Sequence, residues 1–526
     1  MKSPDASQAP GWCFEALTPT AYLDRSAVVF ADRVAVVDGA RRWTYREFAD
    51  RCLRQAGTLT ALGLEPGDRV AVLAPNTHVM LESHYGVLYA GMVLVALNTR
   101  LSASELRYIV EHADCRVVIT DASLVDLAAA VVGGDASRRI VVTGPQYEAL
   151  LEQARPRRVP VSDELALMAL NYTSGTTGRP KGVMYHHRGA YLQALAMNTH
   201  FRLGSGTTYL WTLPMFHCNG WTFTWAVTAA GGTHVCLPKV EPSRVWELLE
   251  EEGVTHLCGA PTVLTSLVHD PGARPVTGRR VVAAIGGAPP APALLERCNE
   301  LGLDITHLYG LTESFGPVVI CDWRSEWDQL PAFEQAVRRA RQGVGNVISS
   351  RVRVVDPGGD DVPGDGSTLG EVALHGNNIM LGYYRDPDAT ARAIPDGWLR
   401  TGDLGVLHQD GYLEIRDRAK DIIISGGENI SSVEVEAALA SHPAVLEAAV
   451  VAVPSEKWGE RPVAWVTLKE GREVSGDDLR QHVRARLAAF KVPDRVEFGS
   501  LPKTTSGKIR KVELRALAID PARSSG

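Results

Sequence analysis

The sequence predicts an α/β protein in two parts: a large N-terminal domain of parallel α/β sheets that includes a small β-barrel-like part, then a small α+β C-terminal domain. Three observations predict it. Up to about residue 350, short β-branched or aliphatic runs alternate with segments whose apolar residues recur at helical spacing. From Arg351 the texture changes to short alternating strands and glycine-rich turns. Finally, 526 residues are too many for one ordinary hydrophobic core.

In chain order, RVAVLAP (69–75), CRVVITD (115–121), RIVVTG (139–144), THVCLP (233–238) and RRVVAAIGG (279–287) read as buried parallel strands. Between such runs, SASELRYIVEHA and SRVWELLEEEG each carry one apolar stripe at helical spacing. Strand and helix in alternation imply helices that cover a parallel sheet. RVRVVDPGGDDVPGDGSTLGEVALHG reads as strand, glycine-rich turn and strand, an antiparallel hairpin. GWLRTGDLGVLHQDGYLEIRDR continues in short strands broken by glycine. A second unit begins near Lys420, dividing the chain into 1–419 and 420–526. In it, SSVEVEAALASH opens with a capping box, Ser431 to Glu434, ahead of a helix. EAAVVAVP and RPVAWVTLKE read as strands, and DDLRQHVRARLAAF as a helix with Leu479, Val483 and Leu487 on one face.

Composition narrows the function. A formal net charge of −7 over this length gives no general attraction to nucleic acid or to an anionic membrane. The eight cysteines contain no C-x-x-C pair and no zinc-ligand spacing, which suggests buried thiols in a reducing compartment. MKSPDASQAP lacks the apolar core of a signal peptide. The most apolar stretch, YGVLYAGMVLVALN (85–98), is too short and too glycine-broken to span a bilayer. A cytoplasmic protein is expected, with no membrane span and no nucleic-acid partner.

The stretch YTSGTTGRPKG (172–182) carries the first chemical signal. ALMALNYT before it reads as a strand and GAYLQALAMNTHF after it as a helix, so the glycine-rich loop is expected at a strand-to-helix turn. Backbone N–H groups converge on an anion at such a turn. Lys181 adds a mobile positive charge, and Ser174, Thr176 and Thr177 add hydroxyl donors, a set suited to polyphosphate. It is not a Walker loop, because Arg179 and Pro180 separate Gly178 from Lys181. Gly507-Lys508 is followed by Ile509 and also fails that pattern, and GVGNVI and GSGTTY complete no dinucleotide fingerprint.

YTSGTTGRPKG is followed in order by PMFHCNGW, GGAPP, YGLTES, GYY, TGD, DRAKDIIISGGENI and PKTTSGKIRK. Together these resemble the adenylate-forming (AMP-binding) superfamily, in its acyl-CoA synthetase branch of fatty and aromatic acid CoA ligases. The resemblance runs from about Phe30 to Arg515. It implies a ligase in which a carboxylate attacks the α-phosphate of ATP, releasing pyrophosphate, and the thiol of CoA then displaces AMP. Mg²⁺ is the implied cofactor, with ATP and CoA as cosubstrates. Acyl transfer to an acyl carrier protein, a luciferase-like or inactive relative, and a homodimer stay open.

The same resemblance assigns residues. Thr173, Ser174, Gly175, Thr176, Thr177, Gly178 and Lys181 would embrace the β- and γ-phosphates. Gly286, Gly287 and Ala288 would line the adenine and acyl pocket, with Tyr309 stacked on adenine beside Gly310. Thr312 would bond the α-phosphate, and Glu313 would hold Mg²⁺ with Thr173 as a second contact. Asp403 would accept from the ribose hydroxyls, with Arg418 near ribose and phosphate. Lys508 would bridge carboxylate and α-phosphate, completing a catalytic set with Thr312 and Glu313. The C-terminal domain would be mobile, with its hinge at Lys420 and with Gly426 and Gly427 lining the pantetheine tunnel of CoA. Many members have glycine before the hinge arginine, where this chain has Asp417. Arg480, Arg484, Arg486, Lys491 and Arg495 read equally as contacts to the phosphates of CoA and as a solvated helix face.

PMFHCNGWTFTW contains no acidic residue, so the amine of an α-amino acid would be buried unpaired. His217, Trp221 and Phe223, with Gly287 and Gly310, instead suggest a pocket for a hydrophobic acid of medium- or long-chain, aromatic or polycyclic type. Trp221 resembles the tryptophan that gates the acyl tunnel; Trp225 divides evenly between pocket and helix packing. His217 is expected in the pocket wall: His186, His187 and His234 stand at no ligand spacing, and a carboxylate needs no base at about pH 7.

Overall fold

The valine- and isoleucine-rich runs pair into two large sheets that share a layer of helices. In this computed structural model the described residues are 14–173, 179–287, 290, 292–425, 428–455, 457–503 and 509–519. One sheet has the order Arg139–Val142, Cys115–Thr120, Arg69–Leu73, Val93–Ala96, Leu167–Tyr172, Gly182–His186, parallel except for its last pair. The other is parallel through its centre, where Leu303–Leu311, Val281–Ile285, His256–Gly259, Thr208–Leu210, Thr233–Cys236 and Val34–Asp38 lie side by side. Arg41–Thr44 closes one end antiparallel, and Gly316–Ile320 with Val344–Gly345 closes the other.

Residues of both sheets and of the helices Tyr45–Ala61, His78–Tyr89, His187–His200 and Phe223–Ala230 form one core. His78–Tyr89 is buried at every position, and its one carboxylate, Glu82, is matched there by Arg51 and by the Tyr147 hydroxyl. The helices Pro242–Glu251 and Pro261–Val268 cover the outer face of the larger sheet; Ala103–His112 and Val125–Val132 cover that of the smaller. The barrel-like part is a four-stranded antiparallel sheet, Arg353–Val355, Gly370–Leu374, Leu399–Leu407 and Leu413–Arg418. The C-terminal unit folds Val445–Ser455 and Gly459–Leu468 into a long hairpin, backed by the helices Ser432–Ala440 and Gly476–Arg484. Among the described residues, no helix is long and apolar enough to cross a membrane. Cysteines 52, 115, 218, 236, 258, 298 and 321 are buried, and none of them forms a disulfide.

Two local expectations are corrected. The strand Gly182–His186 stands between the glycine-rich loop and the helix His187–His200, antiparallel to Leu167–Tyr172. The loop therefore closes a β-hairpin and does not open a helix. In this strand Val183 and Tyr185 enter the main core while Met184 packs on the opposite side, the period-2 burial of a strand. The second correction concerns the capping box, which is half formed. Ser431 Oγ accepts from the Glu434 N–H, but the Glu434 carboxylate pairs with Lys491 Nζ at 2.6 Å.

Four buried imidazoles make the fold sensitive to acid. Desolvation pushes His84, His187 and His307 down to about 4 and His234 to about 3, from 6.5. Below about pH 6.5 the unfolded chain takes up protons that the folded chain refuses, so stability is full above that pH and falls as pH drops toward 4. Each histidine contributes a slope of up to about 1.4 kcal/mol per pH unit. The thermal midpoint is expected to fall across this window, and His234→Gln to fall less steeply relative to its own value at neutral pH.

Candidate active site

The glycine-rich loop is pinned at both ends. The Thr173 N–H donates to the Lys181 carbonyl at 3.0 Å, closing the hairpin across the loop. Arg179 lies over the Tyr108 ring at 5.4 Å, and Lys181 Nζ over the Tyr383 ring at 4.6 Å. Ser174, Gly175, Thr176, Thr177 and Gly178, expected to touch phosphate, lie outside the described residues, as do Ala288, Gly426, Gly427 and Lys508.

The YGLTES segment ends the strand Leu303–Leu311 and turns through Thr312–Ser314 into Gly316–Ile320. A Cβ on Gly310 would stand 1.8 Å from the Gly316 carbonyl oxygen, so the hairpin itself requires that glycine. Tyr309 donates its hydroxyl to Asp403 Oδ2 at 2.7 Å, and Arg418 Nε approaches Asp403 Oδ1 at 3.0 Å. Asp403 and Arg418 are cross-strand partners, and Asp403 is only 4% exposed. Burial and then the Asp403 charge hold the Tyr309 phenol well above its usual pKa, so it stays a donor. The Thr312 carbonyl accepts from Tyr185 Oη at 2.6 Å. Glu313 is half-buried; its Oε1 accepts from Tyr383 Oη at 2.7 Å and its carbonyl from the Met380 N–H at 2.9 Å. A lone carboxylate, with a hydroxyl available at Thr173, suits Mg²⁺, which takes few protein oxygens and completes its shell with water and substrate phosphate.

PMFHCNGW forms a left-handed turn. Cys218, Asn219, Gly220, Trp221 and Thr222 have φ of 46°, 52°, 64°, 52° and 64°. Each non-glycine residue in this region costs roughly 1–2 kcal/mol. At Gly220 a Cβ would also meet the Trp211 ring at 2.5 Å. The turn presses the half-buried Trp221 indole onto a glycine floor: Cβ atoms on Gly286 and Gly316 would lie 3.1 and 3.0 Å from it. Gly287, with φ of 96°, continues that floor in a conformation that favours glycine.

Phe223, expected in the acyl pocket, lies in the core instead, 1% exposed and stacked on Tyr209 at 5.1 Å. It begins the helix Phe223–Ala230 and faces Phe201, a position filled by packing. Trp225 is likewise buried, its indole N–H donating to the His84 carbonyl at 3.2 Å, which decides for helix packing. His217 is half-buried against Phe216, with ring centroids 4.7 Å apart.

Close to Lys420, where the hinge is expected, Asp417 has a definite task. Its Oδ2 accepts from Ser432 N and Ser432 Oγ, both at 2.6 Å, at the first turn of the helix Ser432–Ala440. Lys511 Nζ reaches the same hydroxyl at 2.5 Å and Glu436 Oε1 at 2.7 Å. A carboxylate at a helix N-terminus satisfies otherwise orphaned N–H groups and complements the helix dipole. Arg515 donates to the Lys420 carbonyl at 3.2 Å and pairs with Asp421. Desolvation, with help from Arg418 and Arg515, lowers the pKa of Lys420. In the proposed CoA-facing set, Lys491, Arg480 and Arg495 are held by Glu434, Asp477 and Glu497.

The layered α/β fold, the pinned glycine–hydroxyl loop and the Tyr309–Asp403–Arg418 cluster define an adenylate-forming enzyme. The chain belongs to the AMP-binding enzyme family: residues 23–384 match the AMP-binding enzyme model and residues 434–508 that of the AMP-binding enzyme C-terminal domain. It is 43% identical to a 2-methylpropanoate–CoA ligase of Humulus lupulus, over 98% of this chain and 97% of that one. It is 42% identical to a 4-hydroxybutyrate–CoA ligase of Metallosphaera sedula and to a peroxisomal acetate/butyrate–CoA ligase of Arabidopsis thaliana, each over 96% of this chain and 95% of the relative. ATP-bound MatB from Rhodopseudomonas palustris has a similar structure, with a TM-score of 0.86 at 29% identity over 97% of this chain and 100% of that one. The protein is an ATP-dependent, AMP-forming acid–CoA ligase, with a carboxylic acid, ATP and CoA as substrates.

Removing Asp417 tests the docking of the C-terminal unit. Asp417→Ala is expected to weaken it by about 1.5–3 kcal/mol, the usual worth of hydrogen bonds to a charged group. Faster amide exchange in the helix Ser432–Ala440 would register the loss. Unchanged exchange would place the docking energy elsewhere.

Proposed function

We propose that the acid is a short hydrophobic carboxylate, and that it is activated beneath Trp221. The observation that carries this is the indole lying across Gly286 and Gly316, where an acyl chain would otherwise run. The relatives named for 2-methylpropanoate, acetate/butyrate and 4-hydroxybutyrate support the same size class. Aromatic acids keep some support from a trans-cinnamate–CoA ligase of Petunia hybrida, 39% identical.

In the first half-reaction an anion attacks a polyanion, so catalysis is largely charge placement. Lys181 and the loop residues 173–178 hold the β- and γ-phosphates as leaving group. Thr312 bonds the α-phosphate, and Tyr309, Asp403 and Arg418 seat the nucleoside. Glu313 and Thr173 hold Mg²⁺, which supplies charge neutralisation on the phosphates. Lys508, from the C-terminal domain, serves the carboxylate and α-phosphate.

For the second half-reaction the C-terminal domain, 420–526, turns about Lys420 and brings Gly426 and Gly427 to the pantetheine. Ser425, which precedes those glycines in sequence, pairs with Gly459, and the adjoining Trp458 is 46% exposed beneath Lys457. An exposed indole with a cation suits the adenine and phosphates of CoA. A cytoplasmic setting belongs to the same proposal and is supported by the buried cysteines, none of which forms a disulfide among the described residues.

Two measurements test this reading. Trp221→Ala should move the chain-length optimum of kcat/KM upward, with a change of about 10–200-fold in preference between a four- and an eight-carbon acid. An unchanged profile would sink the size assignment. Lys508→Ala should lower acid-dependent ATP–pyrophosphate exchange by at least about 100-fold while leaving thiolysis of supplied acyl-AMP largely intact. Equal loss of both in a folded variant would remove the division between half-reactions.

A further inference from the structure

Residues 380–384 join two parts of the site that are far apart in sequence. The Leu381 N–H donates to the Met184 carbonyl, Met184 N–H to Gly382 and Tyr384 N–H to Gly182, at 3.0, 3.0 and 2.7 Å. The segment thus runs beside Gly182–His186, the return strand of the hairpin, with Val183 and Tyr383 in an isolated antiparallel bridge. One residue earlier, the Met380 N–H bonds the Glu313 carbonyl. Thr390 Oγ1 accepts from the Tyr383 N–H at 2.9 Å and fixes the backbone from the far side. Tyr383 therefore stands on a backbone tied to both the loop and the Thr312–Ser314 turn. Its side chain touches one charge from each: the hydroxyl donates to Glu313 Oε1 at 2.7 Å, and the ring face lies 4.6 Å from Lys181 Nζ.

From this geometry we propose that Tyr383 is a positioning residue with two separable tasks: its hydroxyl orients Glu313 for the divalent cation, and its ring holds Lys181 at the phosphates. Without the ring the exposed Lys181 side chain would sample many rotamers, and without the hydroxyl Glu313 Oε1 would lose the donor that fixes it. A tyrosine that merely filled space would need neither the polar tip nor this orientation. The inference rests on the assignment of Glu313 to Mg²⁺ and of Lys181 to phosphate made above.

The test reads binding without turnover: full-length enzyme with ATP and no carboxylic acid, Mn²⁺ as the probe cation followed by its spin-resonance signal, and ATP affinity measured separately in EDTA. Tyr383→Phe keeps the ring and deletes the hydroxyl. It should weaken Mn²⁺ binding to the ATP complex by about 10–100-fold, the usual effect of losing a partner of a metal ligand. Its ATP affinity in EDTA should stay within about twofold, since the ring contact to Lys181 is kept. Tyr383→Leu should in addition weaken ATP in EDTA by about two- to fivefold, the worth of an exposed cation–ring contact. Thermal midpoints establish that both variants are folded.

If Tyr383→Phe leaves Mn²⁺ affinity unchanged while Glu313→Gln loosens it, the positioning inference falls and the metal assignment stands. If Glu313→Gln also leaves it unchanged, the metal assignment fails and takes the inference with it. If Tyr383→Phe weakens ATP in EDTA as much as it weakens Mn²⁺, the tasks are not separable and the inference is overturned.

Discussion

The carboxylate of Asp403 is the contact on which the site depends. It is almost wholly buried, and a charge at that depth is costly unless its oxygens are matched. Tyr309 and Arg418 match one oxygen each. Tyr309 comes from the end of Leu303–Leu311, the third strand from one edge of the large sheet, and Arg418 from the last strand of the four-stranded sheet. One ion thus sets the register between two sheets. The next residue back, Asp417, reaches the opposite way and docks the first helix of the C-terminal unit. Arg418, which holds Asp403, and Asp417, which holds the C-terminal unit's first helix, are consecutive residues of one strand.

Close approach does around Trp221 what charge does around Asp403. Gly310 lets two strands meet with no room for a side chain, and Gly286 and Gly316 leave the floor bare for an indole. Trp221 reaches that floor only because residues 218–222 accept a left-handed path. The strain is held by what surrounds it. Trp211 packs over Gly220, and Phe223 and Trp225 anchor the helix that follows in the core. Residues that stand together in one motif therefore divide between shaping the pocket and fastening its wall.

Much of this was legible in the sequence. The parallel strands announced themselves because both faces are apolar, and the antiparallel ones because theirs alternate. The strand Gly182–His186 was missed because its five residues run straight into a helix and so offer too short a pattern. Phe223 was misplaced because an aromatic beside a pocket motif looks the same whether it lines the pocket or the core. Tyr383 stood in the GYY motif without a role: its partner Glu313 lies 70 residues away, and nothing local points there. Asp417 was visible as a departure from the family pattern, but its helix partner was not.

By itself the sequence determined the class of chemistry, because phosphate binding needs particular residue types in short, ordered motifs, and those are local. It also determined the α/β layering, which hydrophobic period dictates. Only the tertiary structure decided that the glycine-rich segment joins two strands of a hairpin, that Trp221 and not Phe223 meets the glycine floor, and that Tyr383 touches both Lys181 and Glu313. The physical reason is common to all three. Distance, burial and ring orientation depend on elements scores of residues apart, and no local pattern encodes which of two similar side chains the packing will turn outward.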